Sequence, residues 1–151
     1  MLTRIDHVGI ACRDLDQTVE KYCAVFGLTV ASREVNEEQG VREAMLLVAT
    51  AGGAGSLGGV PGASYIQLLE PLSADSPVGK FLARRGEGIH HIGYAVDDVR
   101  SALAEVGGTG VRLIDERPRH GSLGASIAFL HPADLGGVLT ELVEPKRPQD
   151  R

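Results

Sequence analysis

Tryptophan is absent from the 151 residues, and three tyrosines and three phenylalanines bring the aromatic share to only 4%. A chain so poor in flat rings has little with which to build base-stacking platforms. Basic charge is also in deficit, with 15 Lys and Arg against 20 Asp and Glu, a net charge of −5. Nucleic-acid binders carry the opposite sign, so no nucleic-acid partner is expected. No run reaches the roughly eighteen apolar residues of a spanning helix, so no membrane partner is expected either. The start, Met1-Leu2-Thr3-Arg4-Ile5-Asp6-His7, lacks the basic and apolar regions of a signal peptide. Cys12 and Cys23 are the only cysteines, which reads as reduced thiols in a cytoplasmic protein. Glycine is what the chain has in excess, 20 residues. They follow no period of three, which excludes collagen, and their number excludes a coiled coil.

The pattern that organises the chain is an internal repeat. Ile5-Asp6-His7-Val8-Gly9-Ile10-Ala11-Cys12-Arg13-Asp14-Leu15 aligns without gaps on Ile89-His90-His91-Ile92-Gly93-Tyr94-Ala95-Val96-Asp97-Asp98-Val99. Identities fall at Ile5/Ile89, His7/His91, Gly9/Gly93, Ala11/Ala95 and Asp14/Asp98. Each half closes on a similar phrase, Gln67-Leu68-Leu69-Glu70-Pro71 and Glu141-Leu142-Val143-Glu144-Pro145. Two matched phrases in one order indicate tandem duplication.

Each half reads as β-α-β-β-β. In the first, a strand over 4–11 leads to Asp14, an N-cap with Gln17 in capping-box position. Leu15, Val19, Tyr22 and Phe26 share one helical face, Gly27 ends the helix, and strands follow near 28–35, 41–50 and 63–70. The second half repeats the order: strand 89–96, helix 98–106 closed by Gly107-Gly108, strands near 110–116, 125–131 and 137–144. Ser76-Pro77 starts a short connecting helix that Gly86 closes. The fold class expected is α+β in one domain: module 1 over about 4–72, a linker helix over about 76–86 and module 2 over about 88–145. The tail beyond Pro145 is polar and expected to fray.

Gly53-Ala54-Gly55-Ser56-Leu57-Gly58 matches the spacing of a dinucleotide fingerprint, but Val60-Pro61-Gly62 and a strand follow where a helix is required. It reads as a hairpin loop, and no nucleotide cofactor is expected. His7 and His91 occupy equivalent positions of the halves, as do Gln67 and Glu141. Packing about a pseudo-two-fold axis would bring all four together, and imidazole with carboxylate or amide oxygen suits a divalent first-row metal. Alternation places Ile5, His7 and Gly9 on one strand face, with Leu139, Glu141 and Val143 on another. The alternative is four exposed polar residues on edge strands. His90 is expected on the opposite sheet face from His91, and His131, before Pro132, in a turn. Glu43 lies in Val41-Arg42-Glu43-Ala44-Met45-Leu46-Leu47-Val48, a run otherwise apolar beyond Arg42. On the Val41/Met45 face it would be part-buried with a raised pKa, as a general base requires; a solvated strand-end carboxylate is the other reading. Arg112, Arg117, Arg119 and His120 form a cationic cluster suited to phosphates, or else a solvated loop.

The paired β-α-β-β-β halves with His7, Gln67, His91 and Glu141 resemble the vicinal oxygen chelate superfamily, which includes glyoxalase I, extradiol dioxygenases, fosfomycin-resistance enzymes and metal-free bleomycin-binding proteins. The segments at 5–11, Glu38-Gln39-Gly40-Val41, Ile89-His90-His91-Ile92 and Glu141-Leu142-Val143 are similar to its methylmalonyl-CoA epimerase family. The resemblance runs from Ile5 to Pro145 and implies a cupped, half-barrel mixed sheet. It implies one divalent ion per chain, cobalt first with manganese or zinc as alternatives, held by His7, Gln67, His91 and Glu141. It implies an acyl-CoA substrate epimerised at C2 through an enolate, with Glu43 as proton-transferring base and Glu141 as both ligand and second carboxylate. Ser122, in Arg119-His120-Gly121-Ser122, matches a loop that approaches substrate, and a homodimer is implied. Other metal-dependent members, glyoxalase I-like enzymes or thiol transferases, remain open, as does a metal-free drug-binding protein.

Overall fold

The computed structural model describes residues 1–49 and 62–147. The glycine-rich stretch read as a hairpin loop, and the end of the polar tail, lie outside the described residues. The elements run β1 (Leu2–Ala11), α1 (Leu15–Phe26), β2 (Thr29–Asn36), β3 (Val41–Ala49), β4 (Ser64–Pro71), α2 (Pro77–Arg85), β5 (Gly88–Val96), α3 (Val99–Gly108), β6 (Arg119–His120), β7 (Ser126–Leu130) and β8 (Thr140–Glu144). They form one eight-stranded mixed sheet in the order β2-β3-β4-β1-β5-β8-β7-β6. β1 and β5, the first strands of the two halves, pair antiparallel at its centre. β4 and β8 flank them in parallel.

The repeated residues do repeated work. Asp14 caps α1 by accepting the Gln17 N–H at 2.9 Å, and Asp98 caps α3 by accepting the Ser101 N–H at 2.7 Å. Each cap of this kind is worth about 1 kcal/mol. The glutamates of the closing phrases reach the same two helix starts: Glu70 accepts from Leu15 N–H and Glu144 from Val99 N–H. A carboxylate at a helix N-terminus also meets the positive end of its dipole. Gly27, at φ 67°, supplies the left-handed residue that ends α1.

Alternation along the strands buries both faces of the sheet. Ala44, Leu46 and Leu68 pack under α1 with Leu15 and Val19, and Ala128, Leu130 and Leu142 pack under α3 with Val99 and Leu103. Burying one such leucine contributes about 1.5–3 kcal/mol. α2 covers Ala11, Val41 and Leu69 through Val78 and Leu82. The face opposite α1 and α3 carries Glu43, Met45, Gln67 and Glu141, the last three lining a cavity. The sheet curls enough that its two ends meet: Arg119, on edge strand β6, pairs with Glu38 beyond β2 at 3.0 Å. Among the described residues no helix is long and apolar enough to cross a membrane.

Three local expectations are corrected. No strand fills 110–116: Gly110 is left-handed at φ 89°, and Ile114 and Asp115 both donate to Phe129 O, leaving only a single bridge, Leu113 to Leu130. The last strand begins at Thr140 because Gly136 and Gly137 turn the chain at φ 70° and 82°. Ile5 does not share the face of His7, since the β1–β5 register shifts between them and leaves Ile5 52% exposed.

Candidate metal centre

The register of the four central strands explains how the proposed ligands converge. His7 pairs with Gly93 and Gly9 with His91 across β1–β5. Gly9 also neighbours Gln67, and Gly93 neighbours Glu141. Two rows therefore cross the sheet, Gln67–Gly9–His91 and His7–Gly93–Glu141. A glycine at the middle of each leaves space over which the opposing imidazole leans.

His7 Nε2 lies 2.9 Å from His91 Nε2 and 2.8 Å from Glu141 Oε2, and His91 Nε2 lies 3.5 Å from the same oxygen. All three residues are buried. Donor atoms about 2.1 Å from one ion stand about 3.0–3.4 Å from one another, so this triangle has the size of a coordination face. Two orphaned atoms agree. Among the described residues, Glu141 Oε2 and Gln67 Oε1 are buried without a directed hydrogen bond, a condition few native polar atoms tolerate. An amide oxygen without a donor, and a carboxylate oxygen shared between two imidazole nitrogens, fit a divalent cation with nitrogen and oxygen ligands.

The electrostatics are polarised. Burial opposes charge on His7, yet the Glu141 and Asp6 carboxylates raise its pKa to about 10. Burial also opposes charge on Glu141, and the two imidazoles hold it down to about 2. Asp6 Oδ2 sits 2.9 Å from His7 Nδ1 and is held in turn by Arg4 at 2.8 Å.

β3 brings Glu43, 2% exposed, to the same neighbourhood. Gln67 Nε2 donates to Glu43 Oε2 and to Ser122 Oγ, each at 2.9 Å, and Ser122 Oγ donates to Glu43 Oε1 at 2.5 Å. Burial pushes the Glu43 carboxyl up to about 7, with the Ser122 bond pulling the other way. The loop carrying Ser122 is strapped across from module 2 to module 1. Asn36 and Gln39 side chains donate to His120 O at 3.4 Å, and Leu123 N–H donates to Glu34. Leu123 itself is left-handed at φ 56°, a conformation that costs a non-glycine residue about 1 kcal/mol or more.

His7, His91, Glu141, Gln67 and Ser122 thus come together with Glu43; Arg119 does not join them. Its guanidinium is committed to Glu38 and Asp115, and Arg112 is committed to Asp134. The cations that border the cavity are Arg4 and Lys146, which no pattern in the sequence singles out. Asp6 was legible only as the counterpart of His90. Strand alternation expects His90 away from the site, yet its Nδ1 lies 2.9 Å from His91 Nδ1. His131 caps a short turn, accepting from Ala133 N–H.

The sequence model of the Glyoxalase/Bleomycin resistance protein/Dioxygenase superfamily matches residues 6–129. A variant of the Streptomyces coelicolor methylmalonyl-CoA epimerase, solved with 2-nitronate-propionyl-CoA, is 53% identical with a TM-score of 0.89; the match covers 97% of this chain and 100% of that one. The mitochondrial methylmalonyl-CoA epimerase of Dictyostelium discoideum is 34% identical over 142 residues, 93% of this chain and 78% of its own. The ethylmalonyl-CoA/methylmalonyl-CoA epimerase of Cereibacter sphaeroides is 31% identical over 144 residues, 94% and 98% of the two chains.

Proposed function

The chain belongs to the Glyoxalase/Bleomycin resistance protein/Dioxygenase superfamily, and from that membership we propose that it is an epimerase inverting C2 of methylmalonyl-CoA. The observation that carries the reading is Glu43: a buried carboxylate with both oxygens hydrogen-bonded and a pKa raised to about 7. It stands beside a cluster of donors sized for one ion.

The C2 hydrogen lies between a thioester carbonyl and a carboxylate, and its removal spreads negative charge onto oxygens on both sides. A divalent ion held by His7, Gln67, His91 and Glu141 would supply Lewis-acid stabilisation of that charge. Glu43 takes the proton from one face, and a pKa near neutrality suits a group that must both accept and release it. Ser122 and Gln67 grip its two oxygens, so the carboxylate is aimed before substrate arrives. Glu141, the second buried carboxylate, is assigned the opposite face. Its low pKa keeps it ionised at neutral pH, so it returns a proton to C2 only after taking one up, as from the adjoining imidazolium of His7. Met45, Tyr65, Leu123 and Ile127 line the cavity and limit the water that competes for the carbanion. Proton transfer alone involves no net oxidation, so the reaction calls for no nucleotide cofactor.

Cobalt is the ion proposed first, then manganese or zinc, since imidazole and carboxylate accept each of them. Arg119 is proposed to act on the acyl-CoA only through the strap it anchors. A homodimer is supported by Ile5 and Ile89, equivalent residues that are 52% and 63% exposed. A cytoplasmic setting is supported by Cys12 and Cys23, both free thiols. The chain is proposed to form one domain of two modules, about 4–72 and 88–145, joined by the helix within 76–86.

The test is to incubate metal-loaded protein with one methylmalonyl-CoA epimer in deuterated water. Deuterium entering C2 with inversion is expected. Absence of exchange, together with turnover of the glutathione–methylglyoxal hemithioacetal, would overturn the proposal in favour of a glyoxalase-like activity.

A further inference from the structure

The duplication that pairs His7 with His91 also pairs the residues just before them, Asp6 and His90. Strict alternation would send both side chains away from the site. The β1–β5 ladder breaks at both places. Ile5 pairs with Tyr94 and His7 with Gly93, which leaves Asp6 unpaired; Gly9 pairs with His91 and Ile10 with Ile89, which leaves His90 unpaired. Each is the extra residue of a β-bulge, a device that re-aims a side chain. Each then reaches the inner nitrogen of the histidine that follows: Asp6 Oδ2 lies 2.9 Å from His7 Nδ1, and His90 Nδ1 lies 2.9 Å from His91 Nδ1.

We infer that Asp6 and His90 are positioning residues that present His7 and His91 as Nε2 ligands, and that they make the two imidazoles unequal. A histidine that offers Nε2 to an ion carries its proton on Nδ1, and that proton needs an acceptor. Asp6 is an anionic acceptor and His90 a neutral one. Hydrogen bonds to a charged partner are the stronger kind, and an anionic acceptor makes the imidazole a better electron donor. His7 is therefore the firmer ligand and His91 the more yielding one.

The supports behind the two residues differ as well. Arg4 holds the far oxygen of Asp6 at 2.8 Å. His90 is held by packing: Phe81 of α2 meets its ring edge-on, with centroids 5.0 Å apart. The helix that joins the two modules thus reaches the site through this pair of rings. The inference rests on reading the cluster as a metal site and is independent of which thioester is bound.

The test is calorimetric titration of the full chain with Co2+, for wild type, Asp6→Asn, His90→Phe and His90→Asn, with circular dichroism and melting curves run on each protein. Asp6→Asn and His90→Phe are expected to raise the dissociation constant about 10–100-fold, with the larger rise for Asp6→Asn. His90→Asn should recover most of the loss, because its amide oxygen can stand where Nδ1 stood. The visible absorption of bound Co2+ should shift for Asp6→Asn, whose change is one of charge. Equal loss in the Phe and Asn variants would mean packing alone and overturns the assignment to His90. If His90→Phe does not fold, Asp6→Asn decides, and an unchanged dissociation constant there overturns the inference. Wild-type protein that takes up neither Co2+ nor Zn2+ overturns the metal reading and this inference with it.

Discussion

The imidazole of His91 lies directly over Gly9: a Cβ built on residue 9 would fall 2.2 Å from His91 Cε1. The same holds for Gly93, where a Cβ would fall 2.4 Å from His7 Cε1. A single methyl at either position must therefore displace a proposed ligand. Gly9→Ala and Gly93→Ala are each expected to weaken Co2+ binding at least about tenfold. Overpacking should also cost about 1–3 kcal/mol of stability. Calorimetric titration and a melting curve read the two effects separately.

Glu43 is the group proposed to move the proton, and it is not a ligand. Glu43→Gln keeps the shape and a partner for Ser122 while removing the base. Turnover should fall by about 10²–10⁴ or more, with Co2+ affinity close to that of wild type. The readout is the rate of C2 deuterium exchange; a rate near wild type would remove Glu43 from the mechanism.

The pH profile follows from the same carboxylate. Glu43 accepts a proton only when ionised, and burial raises its pKa to about 7. Activity should accordingly climb as pH rises through about 7, and below that fall about tenfold per unit. The Ser122 hydroxyl steadies the ionised form, so Ser122→Ala should move this acidic limb to higher pH. A profile of kcat/KM against pH for both proteins checks the direction.

Metal uptake should release a proton. With its pKa at about 10, His7 is protonated at neutral pH until an ion competes for Nε2. Loading near pH 7.5 should displace about one proton per chain, and affinity should strengthen as pH rises toward 10. Titrations in buffers of different ionisation enthalpy measure the number. Stripping the ion with a chelator should abolish turnover, and adding Co2+ back should restore it.

Duplication made much of this site legible. His7 and His91 stand out because matching residues surround both, and Gln67 and Glu141 because each opens a closing phrase. Glu43 stands out as the one acid in an apolar strand. The glycines were visible as repeats, but their role was not, because it depends on which residue lies across the ladder. The bulges were hidden for the same reason: register is set between strands 84 residues apart, so simple alternation misplaced Ile5 and His90. Val111, Leu113 and Ile114 look like a strand, and only the bulge against Phe129 O cuts it to one bridge. Arg119 looked available for phosphate because its partner Glu38 lies 81 residues away.

β8 is last in chain order, yet it is inserted between β5 and β7 and brings Glu141 into the heart of the sheet. His7 stands on the first strand of that order and the glutamate on the last. Contacts this distant close late, after their loop entropy has been overcome. A chain without β8 thus lacks the one carboxylate of the proposed donor set.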